Sequence, residues 1–498
     1  MIDFKFYQHQ TDDIKRFAHQ KHAAFFWGVG SGKSLGAIGL LRAKSKLNKR
    51  LLRSLIICPP NILDTFYFEL EKFLPEKSFE KVIKIKGSIK ERLESIEDNY
   101  KKGMRIFLLS DSTFSDSIQT NKMIYAFFKE IDFDMIIVDE SHRYKSTSSL
   151  RTKALSKLGR IYEDSHKLIM TGTSVLNSYA DLYSQFLFLS GKYLGENKTI
   201  FNKSFTVPVK HQFYKKNGFG EAALNTVIKN EVTPIHKKII KERIKDAVSI
   251  RETKDLVDLP DFILKPIYFD ADKKQLVIYN SLLRDMAALF EKEGDIKTIS
   301  VSNVLTKTLR LCQISSGYIE GDDDKDLVKF DARRKALSDL LDLIDLEHEK
   351  IIIWACFKDN YKDIKEVLKS RKEKYATLFG GMTDKKKQKA IDDFKNKKDV
   401  KYLISNPSSG GTGLNLQESD ASIYYSKNYS LGDYLQSKAR NYRAGSKNLH
   451  TKVVHYHLIC KGLVDEVIMD ALQKKSSELN SLREGIIKHL GDSNGENK

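Results

Sequence analysis

Four cysteines in 498 residues, Cys58, Cys312, Cys356 and Cys460, contain no C-x-x-C pair, which argues against a zinc site or a redox motif. Three of them sit in or beside apolar runs and read as packed core thiols, compatible with a reducing compartment. The first residues, Met1-Ile2-Asp3-Phe4-Lys5, lack the apolar core of a secretion signal. No apolar run approaches the roughly 18 residues that a membrane span requires. A cytoplasmic setting without a membrane partner is therefore expected, in a bacterial cell or in a host cell for a phage or viral protein. No internal repeat of solenoid period is present.

What is abundant is positive charge. Lys and Arg number 85 against 66 Asp and Glu, a net charge of +19. An excess of this kind attracts a polyanion and releases its counterions, although lysine also simply solvates large surfaces. Hydrophobic residues make up 41% of the chain, enough for a sizeable core, and the length suits about three domains.

Short apolar runs in the first third read as buried parallel strands: Ala23–Phe26, Leu55–Cys58, Ile106–Leu109, Met135–Val138 and Leu168–Met170. Helical patterns lie between them, as at Phe66–Phe73. Strands return at Lys350–Trp354, Tyr402–Ile404 and Val453–Val454. Alternation of this kind predicts an α/β chain with two lobes, each built on a parallel sheet, plus helical insertions. The expected division is an N-terminal lobe over 1–188, a helical insertion over 189–255, a linker with a second helical insertion over 256–330, a C-terminal lobe over 331–490, and a frayed tail over 491–498. The stretch 178–254 reads as mostly helical. Gly321–Asp326 reads as an acidic, solvated loop.

Two segments carry chemistry. After the first strand comes Trp27-Gly28-Val29-Gly30-Ser31-Gly32-Lys33-Ser34, then an apolar helix. A strand–glycine loop–helix unit closes backbone N–H groups around a phosphate. Lys33 can reach the β- and γ-phosphates and the Ser34 hydroxyl can ligate Mg²⁺. Gly28, Gly30, Ser31 and Gly32 line that loop, with Trp27 where the first glycine is usual. A chance glycine-rich turn is the bland alternative, and the strand–loop–helix context weighs against it. The fourth buried strand ends in Asp139-Glu140-Ser141-His142. Asp139 can hold Mg²⁺ through water, and Glu140 can orient and deprotonate an attacking water. An acidic helix cap is the competing explanation.

Together these segments resemble helicase superfamily two, and further matches resemble its Swi/Snf branch, in a compact form. Phe6-Tyr7-Gln8-His9-Gln10 resembles the adenine-reading motif, with Gln10 in register. Leu55–Pro59 with Phe66, and Leu108-Leu109-Ser110, resemble DNA-contact motifs. Leu168–Asn177 resembles the coupling motif, with Ser174 where proline is usual. Ile250–Lys254 with Leu259-Pro260 resembles the link between lobes. Lys350–Phe357, Gly380–Phe394 and Ser405–Leu416 resemble second-lobe motifs. Gln436-Ser437-Lys438-Ala439-Arg440-Asn441-Tyr442-Arg443 fits Gln-x-x-x-Arg-x-x-Arg.

The resemblance implies two RecA-like lobes and an ATP-hydrolysing, DNA-dependent motor that uses Mg²⁺. It implies ATP contacts at Gln10, the Lys33 loop and Gly413, and catalytic roles for Gln436, Arg440 and Arg443. It implies coupling through His142, Thr171, Gly172 and Thr173, and DNA contacts at Pro59, Ser110, Ser405 and Gly411. Arg440 and Arg443, three apart, would share a face if helical and could grip a γ-phosphate. Double-stranded DNA is the expected partner, with single-stranded DNA or RNA as alternatives. A strand-separating or annealing helicase, a factor recycling stalled polymerase and a non-enzymatic DNA clamp stay open as competing functions.

Overall fold

The computed structural model describes residues 6–60, 62–115, 117–172, 179–216, 222–251, 258–292, 301–320, 327–408, 415–443 and 445–474. Two compact bodies divide them: residues 6–208 with 230–251, and residues 209–229 with 258–474.

The first body is organised by β1 (His22–Trp27), β2 (Ser54–Cys58), β3 (Val82–Lys84), β4 (Ile106–Ser110), β5 (Met135–Asp139) and β6 (His166–Met170). A separate two-stranded ribbon, β7 (Val207–Lys216) with β8 (Ala222–Glu231), most of which groups with the second body, precedes β9 (Val248–Arg251) in the chain. Strands 1–6 and β9 form one parallel sheet in the order β3-β4-β2-β5-β6-β1-β9. Its central strands are mostly apolar because helices cover both faces. Ala24, Phe26, Leu55, Ile57, Ile136 and Val138 enter one core, while Phe25, Trp27, Ile56, Cys58, Met135 and Ile137 enter another. That is the period-two alternation of a strand buried on both sides, and each buried Leu, Ile, Val, Met or Phe among them contributes about 1.5–3 kcal/mol on burial.

Every connection in a parallel sheet must return the chain to the same starting edge, so all strands finish at one edge. Trp27, Cys58, Ser110, Asp139 and Met170 end their strands there, and the expected site residues follow directly. Two helices frame the entry to that edge, α1 (Gln8–Ala18) and α2 (Lys33–Leu47). Gly36 of α2 is required by a close approach: a Cβ there would meet the Trp27 ring at 2.5 Å.

The second body repeats the plan with β10 (Asp261–Phe269), β11 (Tyr318–Glu320), β12 (Leu327–Lys329), β13 (Ile351–Trp354), β14 (Lys374–Leu378), β15 (Val400–Ser405), β16 (Ala421–Tyr424) and β17 (Lys452–Cys460). Six of these make a parallel sheet in the order β10-β17-β16-β13-β15-β14, and β11 pairs with β12 as a small antiparallel ribbon. Ile351, Ile353 and Ile404 face one core; Ile352, Trp354 and Leu403 face the other.

Several elements differ from the sequence expectation. The stretch 178–254 is not mostly helical, since it contains β7, β8 and β9 beside its helices. Phe201, Phe205, Ile240, Ile244, Val248 and Ile250 share a core with β1, β2 and β5, so these parts of 189–255 belong to the first body. In the expected linker, Asp261–Phe269 is the edge strand of the second sheet, paired along its full length with β17. Pro266 inside it is tolerated because an edge strand has one side without a ladder. The acidic segment 321–326 and the tail 491–498 lie outside the described residues.

Candidate functional site

The loop after β1 is held from three sides. The Gly28 N–H donates to the Arg251 carbonyl at 2.7 Å, tying the loop to β9. The Ser31 hydroxyl donates to the Gly28 carbonyl at 2.7 Å. From α1, Gln10 Nε2 donates to the Gly32 carbonyl at 3.0 Å and His9 Nε2 to the Ser31 carbonyl at 3.0 Å. A carbonyl only accepts, so His9 carries its proton on Nε2, and burial lowers its pKa. Gly30 and Gly32 adopt φ of 84° and 77°, values that favour glycine. At Gly32 a Cβ would also lie 2.4 Å from Gln10 Nε2. Lys33 opens α2 and closes back on the loop, its Nζ donating to the carbonyls of Trp27 at 3.0 Å and Gly28 at 3.2 Å. Ser34 follows in the first turn of α2.

Trp27, which stands where a glycine is usual, is a buried anchor. It stacks on Phe25 at 4.3 Å and its Nε1 donates to Ser249 Oγ at 2.9 Å. Ser249 in turn donates to Asp13, and Arg251 reaches the same carboxylate through Nε at 3.2 Å and Nη2 at 3.0 Å. Asp13 is 1% exposed. The sequence reading missed this network, because Asp13, Ser249 and Arg251 meet only through the pairing of β9 with β1. We expect Asp13→Asn to raise the KM for ATP about 5- to 10-fold with kcat nearly unchanged, since it slackens the loop without touching the reacting groups, and to cost about 1–3 kcal/mol of stability. Steady-state kinetics beside a melting curve test this, and an unchanged KM would contradict it.

The carboxylate pair closes β5. Asp139 is 5% exposed and accepts from the Glu140 N–H at 2.8 Å. Burial raises its pKa most, the neighbouring Glu140 charge adds to that, and Lys33 opposes it. Glu140 is held at φ 49° and ψ 49°, a left-handed conformation that costs a non-glycine residue about 1–3 kcal/mol. What the strain achieves is local: the carboxylate turns onto His142 and Thr171. His142 Nδ1 lies 3.0 Å from Glu140 Oε2 and 2.9 Å from Thr171 Oγ1, and the Thr171 hydroxyl donates to Glu140 at 3.3 Å. Gly172 packs close to the loop, where an added Cβ would stand 2.7 Å from Val29 and 3.3 Å from Lys33 Nζ. Glu140, His142 and Thr171 are thus one hydrogen-bonded unit beside the phosphate loop. Thr173 lies outside the described residues.

The turn after Glu140 is fixed to its neighbours. Ser141 Oγ donates to Gln185 at 2.7 Å, and Arg143 Nε to Asp111 at 2.8 Å. Asp111 follows Ser110, whose hydroxyl caps the next turn by accepting from the Ser112 N–H. Pro59 is buried after β2. In the second body Ser405 is wholly buried and donates to the Leu378 carbonyl, so its hydroxyl is engaged internally. Gly411 and Gly413 lie outside the described residues.

Gln436 sits near the end of the helix Leu431–Lys438, and Arg440 and Arg443 follow in the turns beyond it. The expectation that the two arginines share a helical face is corrected, because the helix stops at Lys438. The turn gives them different surroundings. Arg440 is 4% exposed, its Nε donates to the Gln436 carbonyl at 3.0 Å, and its own carbonyl accepts from Leu416 at 3.0 Å. Arg443 is half-buried, and its N–H donates to Ser446 Oγ. Asn441 between them is pinned by His455 at 3.0 Å.

These motifs fall within two domain matches. Residues 24–317 match the SNF2-related domain, and residues 332–445 match the helicase conserved C-terminal domain. The chain belongs to the SNF2-related family. An uncharacterized ATP-dependent helicase of Mycoplasma genitalium is 25% identical over 448 residues, covering 90% of this chain and 39% of the relative. The TATA-binding protein-associated factor MOT1 of Saccharomyces cerevisiae is 23% identical over 94% of this chain and 27% of its own length. The chromodomain-helicase-DNA-binding protein 1-like of Mus musculus is 23% identical over 92% of this chain and 47% of its own. The chain thus spans less than half the length of each of these relatives. The Sulfolobus solfataricus SWI2/SNF2 ATPase core in complex with dsDNA aligns with a TM-score of 0.42 and 22% identity, covering 97% of this chain and 93% of that one. Two parallel sheets with helices on both faces agree with the two RecA-like lobes of the SNF2-related family.

Nucleotide-hydrolysing members of such a family use Mg²⁺, and the donor set here fits it. Mg²⁺ prefers one or two carboxylates, hydroxyl and water oxygens and the substrate's phosphates over an all-protein cage. Asp139 supplies a buried carboxylate, its pKa raised by burial and by the neighbouring Glu140 charge, and Ser34 supplies a hydroxyl. Among the described residues no helix is long and apolar enough to cross a membrane.

Proposed function

We propose that this chain is an ATP-driven motor that moves along duplex DNA without separating the strands. The observation that carries the reading is the Glu140–His142–Thr171 unit beside the Gly28–Ser34 loop, a water-activating carboxylate wired to a coupling segment. The SNF2-related match over most of the chain, the DNA-binding named in the mouse relative and a net charge of +19 support the nucleic-acid part.

In this reading the loop N–H groups and Lys33 cradle the β- and γ-phosphates of ATP, and Gln10 reads the adenine. Ser34 and Asp139 would hold Mg²⁺, which supplies charge neutralisation at the phosphates when bound. Glu140 takes the proton of the attacking water, and its hydrogen bonds to His142 and Thr171 register whether the γ-phosphate is present. Gln436, Arg443 and Gly413 serve the nucleotide from the second lobe, with Arg440 bracing Gln436 from its buried position. Gly172 and Thr173 continue the coupling segment. Pro59, Ser110 and Gly411 mark the track, and Ser405, wholly buried at the end of β15, supports it from behind. Contacts to phosphates carry little sequence information, so specificity is low.

ATP turnover is expected to rise on adding duplex DNA and to lose that stimulation steeply with salt, because association releases counterions. Phosphate release with and without duplex, over a series of salt concentrations, measures both parts; translocation without strand separation is measured by a triplex-displacement assay, positive while a forked duplex stays annealed. Turnover indifferent to DNA sinks the motor, whereas robust unwinding replaces translocation by strand separation.

A further inference from the structure

Away from the phosphate loop, the first body carries a groove of about 650 Å³ whose walls include Lys129, Lys153, Lys157, Arg160 and Lys198. Glu196 is the one acidic residue in that lining. All five cations are exposed. Lys153, Lys157 and Arg160 lie on the helix Leu150–Ile161 at spacings of four and three, so they share a face and follow one another at about 4.5–6 Å along the axis.

Their neighbours orient these charges without cancelling them. Lys157 Nζ stands 4.0 Å over the Tyr125 ring, and Lys198 Nζ lies 5.3 Å from the Tyr183 ring centre and 5.0 Å from that of Phe201. Arg160 donates to the backbone carbonyl of Glu196 at 2.8 Å, which leaves its charge intact. Lys198 opens the helix Lys198–Phe205, capped by Asn197, so backbone N–H groups add to the positive field at that end.

The groove is set apart from the nucleotide edge by topology. Helix Leu150–Ile161 carries the chain from the end of β5 back to the start of β6, so its Arg160 end points to the sheet edge opposite Lys33 and Asp139. The cations therefore form a row that leaves the edge bearing Pro59 and Ser110.

We propose that this groove binds the phosphodiester backbone of a second stretch of nucleic acid, apart from the track at the carboxyl ends of the strands. The inference rests on the motor reading and adds a second contact to it. A row of cations along one face of a helix, at successive turns, suits a polymer that presents a phosphate at every residue. Oriented but uncancelled charges keep the attraction available to an incoming ligand, and a second grip would keep the motor on its substrate while the track contacts are remade.

The test is the salt dependence of duplex binding by the full chain carrying Lys153→Gln, Lys157→Gln and Arg160→Gln together. Each lost phosphate contact flattens the slope of log K against log salt by about 0.9, so the triple variant should flatten it by about 2–3 and weaken binding about 10-fold. The effect should appear on a long duplex and vanish on one just long enough to cover the track. Turnover at saturating DNA should match the wild type, and circular dichroism should show an intact fold. An unchanged slope on the long duplex, or an equal loss on the short one, overturns the second contact alone. A wild-type chain that binds no duplex brings down the motor reading and this inference with it.

Discussion

Lys33→Ala should lower ATP turnover by at least about 10²–10³-fold while leaving the fold standing. Lys33 is the first residue of α2, and its ammonium closes on the Trp27 and Gly28 carbonyls at the mouth of the loop. From there it needs only to exchange those carbonyls for phosphate oxygens. Its loss removes the positive charge that opposes the raised pKa of Asp139, so the remaining carboxylates meet the nucleotide uncompensated. Two hydrogen bonds to backbone carbonyls are lost as well, at about 1–3 kcal/mol together. The loop keeps its bonds to Arg251, Gln10 and His9. DNA binding should survive, because affinity for a polyanion is spread over many cations. Phosphate release, a melting curve and DNA binding on the purified variant check the three parts. Retained turnover removes the loop from the chemistry, and a collapsed melt would make the turnover result a folding result.

The same loop shows where sequence reasoning succeeds. Strands buried on both faces appear as unbroken apolar runs, so β1, β2, β4, β5 and β6 are legible, and with them the edge where Lys33 and Asp139 stand. β9 is not legible. Its four residues, Val248–Arg251, bury a serine, and that serine exists to link Trp27 to Asp13 across the pairing with β1. Pairing between residues more than 200 positions apart leaves no local periodicity. β10 was hidden for another reason: as an edge strand it is half exposed and contains Pro266, so it reads as linker. The strain at Glu140 is also a property of the folded turn alone, although its outcome, a carboxylate turned onto His142 and Thr171, explains why those residue types follow one another.

The second body shows the limit of spacing arguments. Three residues between arginines suggested a shared helical face, but the helix ends at Lys438 because the chain turns to meet Leu416 and β17. Arg440 is consumed in that turn as a buried strut. Arg443 keeps a half-exposed position three residues on, and the Asn441–His455 bond fixes the backbone between them. The two arginines should therefore fail differently when removed, a distinction that Gln-x-x-x-Arg-x-x-Arg alone does not contain.

Arg443→Ala should cut ATP turnover by about 10³-fold or more while leaving ATP affinity nearly unchanged, the behaviour of an arginine finger that neutralises charge developing on the transferred phosphoryl group. The nucleotide rests on the loop of the first lobe, so the ground state loses little. Arg443→Lys should restore little, since one ammonium cannot reproduce a planar fork. Arg440→Ala provides the contrast. Its side chain braces Gln436 from a buried position, so its loss should lower the melting temperature together with turnover, with a cost of about 1–3 kcal/mol for the broken bond and desolvated partner. Measuring turnover, nucleotide affinity and melting in all three variants separates the roles. A surface arginine of no catalytic use would leave turnover near the wild-type value and slightly weaken DNA binding, and that result in Arg443→Ala would remove the residue from the reaction. A melting temperature as low as that of Arg440→Ala would instead make Arg443 a second strut, with its loss of turnover secondary to folding.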